Sequence, residues 1–316
     1  MKIVFFGTPE FAAYSLRAIH EAGYDIAAVV TATDKPAGRS HRLTASPVKE
    51  YAVEANLPLL QPQSLKDESF ISALREINAD LFVVIAFRMM PEAVWSMPPL
   101  GTFNLHASLL PRYRGAAPIN WAVINGDKQT GVTTFFLKHE IDTGDVIARQ
   151  AVPISDDDNV GDVHDRLMVL GAELTLKTLA DIAAGNVHPV SQDSLAMAEG
   201  EEPTAAPKIY RDTCCIDWSR PAEQVRNLVR GMSPYPGAWS TLKSDNAAPV
   251  DVKIFSADIV DAAKKLLPGE ISTEGGMFVG CSDKVLKIKD VQMQGKRRMT
   301  AEEMLRGARL EKPRFC

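Results

Sequence analysis

Four short strings carry the groups that could do chemistry: Asn104-Leu105-His106, Ser108-Leu109-Leu110-Pro111, Arg114-Gly115-Ala116-Ala117-Pro118 and Ile141-Asp142-Thr143-Gly144. They set an amide, an imidazole and a carboxylate beside residues that bend the backbone. Imidazole is the side chain suited to moving protons near neutral pH. An amide N–H can stabilise a developing oxyanion, and a carboxylate can orient or accept a proton. Each residue also fits a plainer role: Asn104 as a turn cap, His106 as a satisfied core histidine, Asp142 as the start of a turn. What favours a shared site is the set of elements that must position them.

The opening run Lys2 to Phe6 reads as a buried strand, and Thr8, Pro9 and Glu10 suit the start of a helix. Phe11, Ala12, Leu16 and Ile19 then recur at helical spacing up to Gly23, and Ile26 to Val30 is a second strand. A strand, helix, strand opening of this length implies a right-handed crossover and parallel pairing. The pattern continues through a helix over 47–56, a strand at Leu59-Leu60, a helix over 68–78, the apolar run Leu81 to Ala86, a strand over 102–105 and another over 130–137. A helix over 163–184 ends at Gly185. Residues 1–190 therefore read as an α/β, Rossmann-like, open and mostly parallel sheet, in which ligands bind beyond the carboxyl ends of the strands. Gly7, Phe87, His106 and the Asp142 loop are all expected on that edge. Neither a G-x-G-x-x-G dinucleotide fingerprint nor a Walker lysine loop is present.

Residues 191–207, polar and weakly periodic, read as an interdomain linker. Over 208–316 the chain offers a helix from Trp218 to Gly231 and then short, turn-bounded apolar runs that suit a small β-barrel or sandwich. Thr300-Ala301-Glu302-Glu303 has the capping-box pattern and should open a last helix.

A chain of 316 residues is comfortable for two domains, and 46% hydrophobic against 24% charged residues excludes a disordered or fibrous class. Cys214, Cys215, Cys281 and Cys316 lack metal-ligand spacing, so no metal is expected. Neither a secretory leader nor a membrane span is expected, which together with the cysteine usage points to a cytoplasmic setting. The net charge of −5 argues against general nucleic-acid stickiness, but its distribution is uneven. From 284 to 316 stand ten Lys or Arg against four Asp or Glu, and from 153 to 202 eleven acids against two bases. Lys35, Arg39, Arg42 and Lys49 form a second basic island with no acid between them. Such islands suit a localised anionic partner, or simply solvated faces.

The motifs resemble those of the folate-dependent formyltransferases. The resemblance rests on Phe6-Gly7-Thr8-Pro9-Glu10-Phe11, Asp34-Lys35-Pro36-Ala37-Gly38-Arg39, Ser46-Pro47-Val48-Lys49, Asn104 to Pro118, Thr130 to Thr133, Asp142 to Gly144, Ile216-Asp217-Trp218 and Pro234-Tyr235-Pro236. It spans nearly the whole chain, and the Lys35 to Arg39 string resembles the tRNA-acting branch. It implies transfer of the formyl group of 10-formyltetrahydrofolate to the α-amine of methionine carried by initiator tRNA. Catalysis would fall on Asn104, His106 and Asp142, with Asn104 and protonated His106 donating to the oxyanion and Asp142 accepting the amine proton. Folate contacts would fall on Ser108, Leu109, Leu110 and Pro111, and the methionyl side chain would lie against Phe11, which equally suits core packing. Lys35, Arg39, Arg42 and Lys49 would contact tRNA, and the C-terminal domain would be an OB-like barrel. A Tyr-Gly pair is common in the family after the central strand. Here Phe87-Arg88 stands in its place, with Arg88 expected toward solvent or the glutamate tail of folate.

A formyltransferase acting on a nucleotide-linked amino sugar would share the trio but need neither basic island. A formyltetrahydrofolate hydrolase would not need the second domain. An RNA-binding protein without catalysis would not need the trio to converge. A monomer is expected.

Overall fold

The computed structural model describes residues 1–37, 42–200, 202–261, 266–307 and 310–316. It divides into two compact units: 1–115 with 131–152 and 165–205, and 116–130 with 153–164 and 206–316.

In the first unit seven strands form one sheet. Its order is Val146–Pro153, Gln129–Phe136, Thr102–His106, Leu81–Ile85, Lys2–Gly7, Asp25–Val30 and Leu59–Leu60. Neighbouring strands from Thr102–His106 to Leu59–Leu60 are parallel. Alternation along Lys2–Gly7 explains why both faces are covered. Val4 and Phe6 pack with Phe70, Leu74, Phe82 and Val94 on one side, while Ile3 and Phe5 are fully buried on the other. Burying each such side chain contributes roughly 1.5–3 kcal/mol.

The first helix, Glu10–Glu21, is capped by the Pro9 carbonyl, which accepts from Ala12 and Ala13; the Thr8 side chain makes no cap. Gly7 lets that helix descend onto the sheet, because a Cβ there would stand 2.6 Å from the Ala12 Cβ. Gln129–Phe136 runs antiparallel to Thr102–His106, so Thr133 lies beside His106 and Phe136 beside Phe103. The strand thus ends away from His106, and residues 137–142 bring Asp142 back to it. Asp142 thus reaches the expected edge beside His106, but from a strand antiparallel to that of His106.

The expected linker over 191–207 is a second correction. Gln192–Glu199 is a helix whose N-cap, Ser191, accepts from the Ser194 N–H. This segment groups with the sheet as far as residue 205.

In the second unit the strands Ile271–Ser272, Met277–Gly280, Val285–Met293, Ala247–Val260, Ala238–Ser244 and Arg314–Phe315 follow one another in one sheet. Its paired strands are antiparallel. Bonds from the Phe315 N–H to the Gly269 carbonyl and from the Ile271 N–H to the Pro313 carbonyl join the two ends, giving a nearly closed barrel. Trp218 stacks on Phe315 at 5.3 Å and belongs to that core. The expected Trp218–Gly231 helix therefore starts later, at Ala222, and runs to Met232. Gly231 does not stop it; a Cβ there would lie 2.4 Å from Ile124. The acidic segment 153–164 groups here because Arg230, 9% exposed, donates to the Ser155 and Asp158 carbonyls. The capping box forms as read, with Thr300 Oγ1 accepting from the Glu303 N–H and Glu303 Oε2 from the Thr300 N–H. No helix among the described residues is long and apolar enough to cross a membrane.

Candidate active site

Asn104 and His106 are two residues apart on one strand and so share a face. His106 is 7% exposed, and its ring meets Phe135 edge-on at 6.5 Å. Its Nε2 lies 2.8 Å from the Tyr113 carbonyl. A carbonyl only accepts, so Nε2 carries a proton and donates it there. That leaves Nδ1 as the nitrogen free to act, and it faces Asp142 Oδ2 at 3.8 Å. This is too long for a direct hydrogen bond. The Asn104 carboxamide has no hydrogen-bond partner among the described residues and is half-buried.

Asp142 is fixed from three sides. Its Oδ2 accepts from the Gly115 N–H at 2.9 Å, and its side chain is 13% exposed. Its φ of 54° lies in the left-handed region, which costs a non-glycine residue about 1–3 kcal/mol. Two residues on, Gly144 is obligatory, since a Cβ would stand 1.6 Å from the Phe136 carbonyl oxygen. Gln192 Nε2 donates to the Asp142 and Gly144 carbonyls at 2.8 and 2.9 Å, and its Oε1 accepts from Arg114 Nε at 2.9 Å. The sequence reading missed Gln192, because it lay inside the supposed linker. The signal present was Ser191, a serine three residues before Ser194 and fit to start a helix.

The Ser108–Pro111 loop is built from the inside. Ser108 and Leu110 are fully buried, Pro111 is buried and Leu109 half-buried. Ser108 Oγ donates to the Arg112 carbonyl, Thr133 Oγ1 donates to the Ser108 carbonyl, and the Leu110 N–H donates to Thr133 Oγ1. The Leu110–Pro111 bond is cis. Three of these four side chains are thus turned inward, and much of the loop's main chain is engaged as well: the Leu109 carbonyl accepts from the Arg112 N–H and the Leu110 carbonyl from Arg149. Phe11 is 6% exposed, with its ring 3.5 Å from where a Gly171 Cβ would stand. Arg88 donates to the Pro62 and Gln63 carbonyls rather than pointing freely to solvent.

The basic island is less uniform than its sequence. Lys49 pairs with Asp34 at 2.7 Å, and Gln61 also donates to that carboxylate. The Lys49 ammonium, with Gln61 second, holds the Asp34 carboxyl below the usual range. Lys35 is exposed and begins the strand Lys35–Ala37, which pairs antiparallel with Arg42–Thr44. Arg39 and the Arg42 side chain lie outside the described residues. In the C-terminal island Lys289, Arg297, Arg298 and Lys312 are paired with Asp258, Glu303, Asp290 and Asp245.

The chain matches known proteins over nearly its full length. Residues 1–179 match the family described as formyl transferase, and residues 208–309 match formyl transferase, C-terminal domain. A methionyl-tRNA formyltransferase of Bacteroides thetaiotaomicron is 53% identical over 312 residues, covering 98% of this chain and 96% of the relative. The solved structure of WlaRD, a sugar 3N-formyltransferase in the presence of dTDP and 5-N-formyl-THF, aligns with a TM-score of 0.66 at 18% identity. It covers 94% of this chain and 99% of that one. HypX from Aquifex aeolicus in complex with tetrahydrofolic acid aligns with a TM-score of 0.63 at 20% identity, over 96% of this chain and 47% of HypX. At such identities the two structures speak for the fold alone. On both of its domains, and on its whole-chain identity to a curated member, this chain belongs to the formyl transferase family.

Proposed function

We infer that the protein formylates the α-amine of methionyl-tRNA, with 10-formyltetrahydrofolate as donor. The observation that carries the reading is the convergence of His106 Nδ1 and Asp142 Oδ2 at 3.8 Å within a chain 53% identical to a methionyl-tRNA formyltransferase. The amine nitrogen attacks the formyl carbon, a tetrahedral oxyanion forms, and the C–N10 bond of the folate breaks to leave the N-formyl product. A free α-amine titrates at about 7.7–8.0, and the adjacent ester lowers that, so the nucleophile needs little activation. The barrier lies in the oxyanion.

Asn104 donates to that oxygen from its unengaged carboxamide. A proton on His106 Nδ1 makes the ring a second donor, while its Nε2–H stays committed to the Tyr113 carbonyl. Asp142 takes the amine proton, directly or through a water, and a proton passes to N10 as the C–N10 bond breaks, releasing tetrahydrofolate. In so enclosed a pocket these interactions are stronger than in water. The folate lies against the Ser108–Pro111 loop, whose most accessible residue is the half-buried Leu109. Phe11 supports the methionyl side of the pocket as a packed wall. Lys35, Arg39 and Arg42 contact tRNA phosphate, and the barrel supplies further basic contacts. The setting is the cytoplasm, where translation uses the product.

The test offers the protein 10-formyltetrahydrofolate with three acceptors: methionyl-initiator tRNA, a charged elongator tRNA and a dTDP-linked amino sugar. Formylation of the initiator alone is expected. Formylation of the sugar in preference to tRNA would overturn the choice of acceptor.

A further inference from the structure

Gln192 and Thr204 support both members of the His106–Asp142 pair from the two ends of one segment. Gln192, 2% exposed, uses both amide protons on the Asp142 and Gly144 carbonyls and its oxygen on Arg114. At the far end of the segment, Thr204 Oγ1 accepts from the Tyr113 N–H at 2.9 Å, and its carbonyl accepts from the Arg114 N–H at 2.9 Å. Tyr113 is the residue whose carbonyl holds His106 Nε2. Gly115, next after Arg114, supplies the N–H that holds Asp142 Oδ2.

The Asp142 turn needs such support. A left-handed aspartate reverts to an ordinary conformation unless its surroundings over-determine it. Gln192 grips the carbonyls on either side of Thr143, so the turn cannot relax without breaking two buried hydrogen bonds. The Arg114 bond to Oε1 orients the amide so that its N–H₂ end faces the turn.

We propose that Gln192 is a positioning residue for formyl transfer, acting through Asp142, and that Thr204 supports the His106 side of the same pair. The proposal rests on the formyl-transfer reading above. Gln192 touches neither substrate; it fixes where the Asp142 carboxylate stands relative to His106 Nδ1.

Wild-type protein is first shown to formylate methionyl-tRNA; failure there strikes the reading, not Gln192. Gln192→Glu keeps the acceptor for Arg114 and loses both donors to the turn. It is expected to lower kcat roughly 10²-fold, the cost of a misplaced catalytic group. KM for tRNA and for folate should stay within about twofold of wild type. Because the effect runs through Asp142, the double variant Gln192→Glu, Asp142→Asn should be no slower than Asp142→Asn alone. A role confined to the fold predicts additive losses instead. Gln192→Ala and the half-exposed Thr204→Val are measured beside it, the latter expected to lose about threefold to tenfold in kcat at unchanged KM. Variants that remain folded by thermal melting yet keep kcat within about twofold of wild type, or double-variant losses that multiply, would overturn the proposal.

Discussion

The His106–Asp142 pair and the Lys35–Lys49 island belong to the same unit but are constructed by opposite means. The pair is enclosed and held by main-chain groups: the Tyr113 carbonyl, the Gly115 N–H, and the two carbonyls bound by Gln192. In the island Lys35 is exposed on a strand paired antiparallel with Arg42–Thr44, and Lys49, on the helix Pro47–Glu54, is tied to an acid outside the basic run. The difference suits the two tasks proposed for them. Stabilising an oxyanion needs donors fixed before the reaction starts, because reorganising them would cost what they contribute. Attracting a polyanion needs only charge near phosphate, which tolerates loose geometry and weakens with salt. The contrast therefore predicts that changes at the first region appear in kcat and changes at the second in KM for tRNA.

The largest loss is expected at the pair itself. His106→Gln should lower kcat roughly 10³–10⁴-fold, and Asn104→Ala roughly 10²–10³-fold, both with KM for tRNA nearly unchanged in steady-state formylation. A loss in KM at either position would erase the contrast.

The next effect sharpens the second region internally. Arg39→Ala with Arg42→Ala should raise KM for tRNA about tenfold or more and reduce the salt slope of binding by about two phosphates' worth. Lys49→Ala should change that slope far less, because Asp34 already neutralises the ammonium. Equal slopes for all three bases would show that Lys49 leaves Asp34 for the nucleic acid.

The smallest effect is on stability in acid. Asp34 has its carboxyl depressed by Lys49 and Gln61. A depressed carboxyl adds stability above its unfolded value, and that stability is lost as pH falls through the folded one. Asp34→Asn should thus melt below wild type at neutral pH, with the gap closing below about pH 4. A gap that persists at lower pH would show that Asp34 acts through packing.

Local patterns explain what was legible in the sequence. Alternation and helical spacing located the parallel strands, and Asn104 and His106 followed from their position near the end of one. The Thr300 capping box joins two residues three positions apart and appears as read. The motifs from Asn104 to Asp142 led to the family directly. What stayed hidden depends on contacts distant in sequence. Nothing near Gln192 announces that it will meet Asp142, fifty positions away. Asp34 sits one residue outside the basic run and pairs with its last member. Gly231 reads as a helix stop by local rules, but the approach of Ile124 requires it inside the helix. The Ser108–Pro111 motif also does not announce that the Ser108 hydroxyl bonds the Arg112 carbonyl or that Leu110 packs with Phe135 and Val146.

The role proposed for Asp142 is in chemistry and not in tRNA recognition. Its most direct test is the single-turnover rate of Asp142→Asn with folate donor and methionyl-initiator tRNA both saturating, measured with the Kd for that tRNA. The rate is expected to fall roughly 10³-fold or more with Kd within about twofold of wild type. A near-normal rate, or a loss that appears only in Kd, would contradict it.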